Sequence, residues 1–253
     1  DEIIVASDTP EVYTPDTASF VQHRLGAAEI PAYDLSGSAC AGFVLGLDIA
    51  RSRVRDVDRR VLVIGVEVLT RVMSWQDRNT CVLFGDAAGA AVVGADADAV
   101  EILAATAGTD GSRGDILTAQ IGGTRAPFNL ERARELERRW IVMKGREVFK
   151  EATTRMCAAA KAVLAQANLD VEDVALIIPH QANLRILQAT GRALGVPAEK
   201  VYVNLHEYGN TGSASIPLAL WEAREQGRIA AGDLVLLTSF GAGFHWAAML
   251  LRF

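Results

Sequence analysis

At 253 residues, half of them hydrophobic and 22% charged, the chain can bury one large core or two fused smaller ones. Its formal net charge of -6 argues against nucleic acid as a partner. No apolar run approaches the roughly 18 to 20 residues of a membrane span, and no basic-then-apolar leader opens the chain, so no membrane partner and a cytoplasmic location are expected.

The first apolar strand pattern runs from Ile3 to Ala6, ahead of a short helix ending Arg24-Leu25-Gly26 and a second strand from Pro31 to Leu35. The small-residue turn Ser36-Gly37-Ser38-Ala39 leads into an almost uncharged helix beginning around Cys40, and helices without a polar face are buried ones. Val61 to Ile64 is a further strand, and Cys81 is placed in a strand. The glycine-rich stretch from Thr106 to Trp140 is expected to be a surface excursion, with the charged run Leu130 to Arg139 as a solvated helix face.

A long helix is expected over Arg146 to Leu169, then a strand at Val174 to Ile178 and a helix at Asn183 to Leu194. The turn Tyr208-Gly209-Asn210-Thr211-Gly212 precedes a helix over Ser213 to Gln226, whose Pro217 falls near the first turn, where proline is best tolerated. The strand Leu234 to Leu237 and the turn Gly241-Ala242-Gly243 close the pattern.

Alternation of this kind predicts an α/β fold. The order strand, helix, strand, small-residue turn, buried helix occurs twice, which divides the chain into halves 1–125 and 126–253. The second copy is preceded by a long helix, whereas the first opens directly on a strand. On the repeat argument the first half is truncated at its N-terminus by at least a strand and a helix.

Cys40 stands where a strand passes into a buried helix, so exposed N–H groups and the helix dipole face its sulfur and favour thiolate. The bland alternative is a small hydrophobe in a helix. His180 follows the apolar strand and Pro179, at the carboxyl end where ligand-facing residues of open α/β sheets collect; a lone histidine there is otherwise structural or merely exposed. Asn210 lies in a glycine turn that allows close backbone approach, and its alternative role is a helix cap. The turn at Ala242 could present backbone N–H groups to a developing oxyanion. Cys40, Cys81 and Cys157 lack CxxC spacing, and the remaining histidines lack ligand spacing, so no disulfide framework and no metal are expected.

Five segments carry a resemblance from Asp1 to Phe253: Ala39-Cys40-Ala41-Gly42-Phe43, Phe84-Gly85-Asp86-Ala87-Ala88-Gly89-Ala90, Gly145-Arg146-Glu147-Val148-Phe149, Pro179-His180-Gln181-Ala182-Asn183-Leu184-Arg185 and Gly209-Asn210-Thr211. In this order they resemble β-ketoacyl-[acyl carrier protein] synthase III. The resemblance implies a thiolase-like fold of duplicated α/β/α/β/α layers, a homodimer, and initiation of fatty acid synthesis by decarboxylative condensation of an acyl-CoA with malonyl-acyl carrier protein. It implies that Cys40 carries the acyl group, that His180 and Asn210 hydrogen-bond the enolate oxygen, and that the Cys40 and Ala242 amides bind the tetrahedral oxyanion. No cofactor is implied, acyl-CoA being a substrate. Arg78 would contact the CoA adenine, and Lys150 with Arg185 would meet the acidic carrier protein. Thr14 falls where a bulky residue often caps the partner subunit's acyl pocket, which implies room for primers longer than acetyl.

A polyketide-starter ketosynthase, or a relative transferring acyl groups to a hydroxyl or amine, would share every one of these residues. A non-catalytic acyl-binding protein would keep the fold while leaving Cys40 unacylated.

Overall fold

The computed structural model describes residues 1–54, 58–78, 80–96, 98–119, 122–131 and 141–253. Its two main sheets each combine parallel and antiparallel pairing. The first takes the order β2-β1-β3-β4, from β1 (Glu2–Ala6), β2 (Ala32–Leu35), β3 (Val61–Val68) and β4 (Asp86–Val93). β1 is parallel to both β2 and β3, with Ile3 opposite Ala32 and Leu62, and β4 returns antiparallel to β3. All five residues of β1 are buried, as a near-continuous apolar strand covered on both faces must be.

The second sheet takes the order β5-β10-β9-β8, from β5 (Glu101–Thr109), β8 (Leu176–Pro179), β9 (Leu234–Gly241) and β10 (His245–Arg252). In it β8 and β9 pair parallel, and β9–β10 and β10–β5 pair antiparallel. Between the sheets lie α2 (Gly42–Val54) and the later helix Ser215–Glu225, called α6 below. Phe43, Val44 and Leu47 of α2 and Ile216, Ala219 and Ala223 of α6 share one core with Ile4 and Val63 of the first sheet and Ile178, Leu237 and Met249 of the second. Mostly apolar along the residues that face the sheets, the two helices fill the space between two apolar sheet faces.

α3 (Gly145–Ala167) covers the outer face of the second sheet through Ala160, Val163 and Leu164, which pack on Leu236, Ala248 and Leu250. α4 (Leu184–Leu194) lies beside it, and α1 (Thr17–Arg24) covers the outer face of the first sheet through Ala18 and Val21. A one-turn helix α5 (Leu205–Tyr208) precedes the Asn210 turn. The layers therefore run α1, first sheet, α2 with α6, second sheet, α3 with α4, the duplicated α/β/α/β/α arrangement expected from the resemblance.

Three expectations are corrected. The surface excursion does not begin at Thr106: that residue lies in β5, paired with Ala248 of β10. β5 is rich in alanine and glycine because it sits close under a neighbour, and a Cβ on Gly108 would lie 2.4 Å from the Trp246 ring. The excursion also returns to the body as a ribbon, β6 (Leu117–Ala119) antiparallel to β7 (Ile141–Met143). Cys81 lies in a turn, its N–H bonded to the Asp77 carbonyl, and not in a strand. Of the charged run, only Leu130 and Glu131 fall among the described residues. Among those residues no helix is long and apolar enough to cross a membrane.

Candidate active site

A cavity of about 230 Å³ opens where the two halves meet, and Cys40, His180, Asn210 and Ala242 all line it. Its walls are mostly apolar. Leu69, Val72, Leu83 and Phe84 come from the first half, and Met143, Val148, Met156 and Ile186 from the second.

Cys40 sits on a single 3₁₀ turn, Ala39–Ala41, ahead of α2. The turn before it is tied down by Asp8, whose Oδ1 accepts the N–H of Gly37 at 2.9 Å and of Ala39 at 3.4 Å, while the Ser38 hydroxyl donates to the Leu35 carbonyl. Ala39 is held at φ 49, a left-handed conformation that is uncommon for a residue with a Cβ and that clusters at functional sites. Gly241 makes this approach possible, since a Cβ there would lie 2.7 Å from the Cys40 nitrogen. β9 thereby brings the backbone of Gly241 and Ala242 against the start of α2.

His180 is delivered by β8, and its backbone N–H donates to the Thr238 carbonyl of β9 at 2.8 Å. It is 2% exposed, and burial pulls its pKa down to about 3, so the ring is neutral at physiological pH. Its Nδ1 lies 2.6 Å from the Ser215 hydroxyl at the start of α6. The next residue, Gln181, locks this corner: its side-chain amide donates to the carbonyls of Pro179 and Tyr202, and its oxygen accepts the Asn204 N–H.

Asn210 is pinned through its backbone. Its N–H donates to the Leu83 carbonyl at 2.7 Å and its own carbonyl accepts the Gly85 N–H at 3.0 Å. Gly85 has no room for a side chain, because a Cβ would stand 2.0 Å from the Tyr208 carbonyl. The Leu83-Phe84-Gly85 segment is thus the backbone clamp of the Asn210 turn. Asn210 Oδ1 accepts the Gly212 N–H at 2.9 Å, which leaves the NH₂ group free to donate.

The expectation of a favoured thiolate is overturned. Cys40 keeps some exposed area, but that area opens into the cavity, and burial pushes its thiol pKa up. The charges of Glu67 and Asp8 push the same way, against the weaker help of its own backbone N–H and the Asn210 side chain. Fixed dipoles of one turn do not outweigh desolvation plus two carboxyls.

Glu67 was not legible as a site residue, and the one signal was a carboxylate inside the apolar run of β3. It is 2% exposed, accepts the Thr9 hydroxyl at 2.8 Å and the Asp8 N–H at 3.2 Å, and lies 3.1 Å from the Ser213 hydroxyl. Burial, then the charge of Asp8, raise its pKa to about 7. Ser213 donates its single proton to the Ala6 carbonyl at 2.7 Å, so a protonated Glu67 can donate to Ser213 in turn.

Arg78, Lys150, Arg185 and Thr14 are exposed and do not line the cavity. Lys150 stands on α3 between the cavity residues Val148 and Ala152, and Arg185 on α4 between Asn183 and Ile186, so both lie on elements that wall it. Thr14 is in the loop between β1 and α1. Among the described residues no three His, Cys, Asp or Glu side chains group so as to hold a metal ion.

Comparison with known proteins gives one consistent result. Residues 33–111 match the family described as 3-Oxoacyl-[acyl-carrier-protein (ACP)] synthase III, and residues 164–253 match the corresponding C-terminal family. Over its whole length the chain is 47% identical to the β-ketoacyl-[acyl-carrier-protein] synthase III of Roseiflexus castenholzii, covering 76% of that protein. The crystal structure of 3-oxoacyl-[acyl-carrier-protein] synthase III from Aquifex aeolicus superposes with a TM-score of 0.90 at 44% identity, over 100% of this chain and 77% of that one. The priming β-ketosynthase of a polyketide biosynthetic pathway superposes with a TM-score of 0.87 at 37% identity, over 100% and 75%.

Proposed function

Because the chain belongs to the β-ketoacyl-[acyl carrier protein] synthase III family, an acyltransferase family that carries out the priming condensation of fatty acid synthesis, we propose that Cys40 is the acyl carrier and that condensation occurs in the cavity above it. The observation that carries the assignment is the convergence of one sulfur, one neutral imidazole and one carboxamide on a single apolar cavity.

In the first half-reaction the Cys40 sulfur attacks the carbonyl of an acyl-CoA thioester. The oxyanion is held by the N–H groups of Cys40 and Ala242, and the C–S bond to CoA breaks, the cysteine proton leaving on the CoA thiol. In the second half-reaction the malonyl thioester loses CO₂, and the electron pair of the broken C–C bond becomes an enolate. His180 and Asn210 donate to its oxygen, the enolate carbon attacks acyl-Cys40, and the thiolate departs and is reprotonated from solvent. Each such donor is worth about 10²- to 10³-fold in rate.

Acyl-CoA is a substrate here, and the reading assigns no cofactor. Arg78 is assigned to the CoA adenine, Lys150 and Arg185 to the acidic carrier protein, and Thr14 to a roomy acyl pocket across a homodimer interface. Among the described residues the outer edge of β2 has no strand partner, which supports such an interface, because an open strand edge pairs readily with a second copy. A cytoplasmic location accords with these soluble substrates. The polyketide-priming relative favours a second reading, in which the same chemistry starts a polyketide chain.

The test is incubation with a panel of acyl-CoA thioesters followed by peptide mass spectrometry. An acyl adduct on Cys40 that is absent from Cys40→Ala, and is strongest for primers beyond acetyl, is the expected result. An unmodified Cys40 after exposure to every thioester would remove the proposal.

A further inference from the structure

His180 can serve as a donor only if its cavity-facing nitrogen carries the proton, and a neutral imidazole holds one proton on either of two nitrogens. Among the described residues Nε2 makes no hydrogen bond, while His180 lines the cavity. Nδ1 points the other way and meets the Ser215 hydroxyl at 2.6 Å, so one proton lies between them. Ser215, itself 2% exposed, also accepts the Gln181 N–H at 3.4 Å. If Nδ1 carried the proton, both lone pairs of the Ser215 oxygen would be used, and its own proton would be buried with no acceptor among the described residues. If Ser215 donates instead, all three groups are satisfied at once: the hydroxyl gives to Nδ1, Gln181 N–H gives to the hydroxyl, and Nε2–H faces the cavity.

The geometry points to Ser215 as the positioning residue that fixes His180 in its Nε2–H tautomer, holding a hydrogen-bond donor toward the thioester oxygen of the malonyl substrate. The inference rests on the reading of His180 as a donor to the enolate. The lowered pKa of the buried ring supports it, since a neutral ring is the only state in which the tautomer matters. Gln181 and Asn204 extend the same chain of bonds, so the hydroxyl sits in a corner already fixed by backbone carbonyls.

The experiment has two arms. The protein's four histidines are few enough for ¹⁵N-histidine labelling, with His180→Asn identifying the His180 signals. At pH 7 to 8 the wild type is expected to show an unprotonated Nδ1 and a protonated Nε2, and Ser215→Ala to shift toward the other tautomer. In the kinetic arm Ser215→Ala is expected to lower the kcat of malonyl decarboxylation about 10- to 100-fold, with KM and Cys40 acylation much less affected, and Ser215→Thr to recover most of the loss. A protonated Nδ1 in the wild type, or an unchanged decarboxylation rate in Ser215→Ala, would overturn the assignment. A wild type that never acylates Cys40 would sink the functional reading instead, and the nitrogen spectrum would still decide the tautomer.

Discussion

Glu67 shows how a single buried carboxyl ties the site to pH. Its pKa is raised from 4.5 to about 7 in the folded chain, so the folded state holds a proton that the unfolded state has already released. Stability from this group is therefore complete below pH 4.5 and lost as pH rises to 7, by about 3 kcal/mol. Denaturation of Glu67→Gln beside wild type should show the variant gaining that amount between pH 4.5 and pH 8. A difference that stays flat with pH would contradict the assignment. His180 has the opposite sign: its pKa falls to about 3, so its contribution is present above pH 6.5 and lost on acidification. With Glu67 removed, acidification from pH 6.5 to 4.5 should cost the variant about 2 kcal/mol, where wild type, with both groups in opposition, stays nearly level. The charge of Glu67 also holds the Cys40 thiol pKa up. Iodoacetamide should accordingly label Cys40 several-fold faster in Glu67→Gln than in wild type at pH 8, and equal rates would count against the coupling.

Among the elements, backbone segments without reactive side chains place the candidate site groups. The Leu83-Phe84-Gly85 segment carries no reactive side chain, yet it grips both backbone groups of Asn210. Gly85→Ala should push the Tyr208 carbonyl away from a 2.0 Å clash, cost about 1 to 3 kcal/mol, and reduce condensation more than acylation of Cys40. Thermal unfolding with separate assays of the two half-reactions checks this, and a variant with wild-type condensation would argue against the clamp. Strands β1, β3, β8 and β9 were legible because apolar side chains fill both faces of buried parallel strands. Strands β4 and β5 were not, because alanine and glycine dominate them: Gly89 lies under Pro217 of α6 and Gly108 under Trp246, and close tertiary packing overrode weak strand propensity. Cys40, His180 and Asn210 could be read from strand ends and glycine turns. Glu67, Ser213 and Ser215 could not, since their roles exist only where the ends of β1 and β3 and the start of α6 meet in space.

At the scale of the molecule, two sheets with two shared helices between them bring the ends of β3, β8 and β9 and the starts of α2 and α6 to one place. That convergence puts a thiol from one half on the same cavity as an imidazole and a carboxamide from the other. The open edge of β2 should pair with a second copy, so sedimentation equilibrium is expected to give a dimer, and a monomer at micromolar concentration would remove the interface. The central claim is that acyl-Cys40 is consumed by carbon–carbon bond formation. Its most direct measurement is to load Cys40 with a radiolabelled acyl group, remove free acyl-CoA, add malonyl-acyl carrier protein, and count label on the enzyme, label on the carrier and CO₂ released. One equivalent leaving Cys40 should match one β-ketoacyl-carrier product and one CO₂. Label that stays on Cys40, or that leaves it without CO₂ release, would contradict the account.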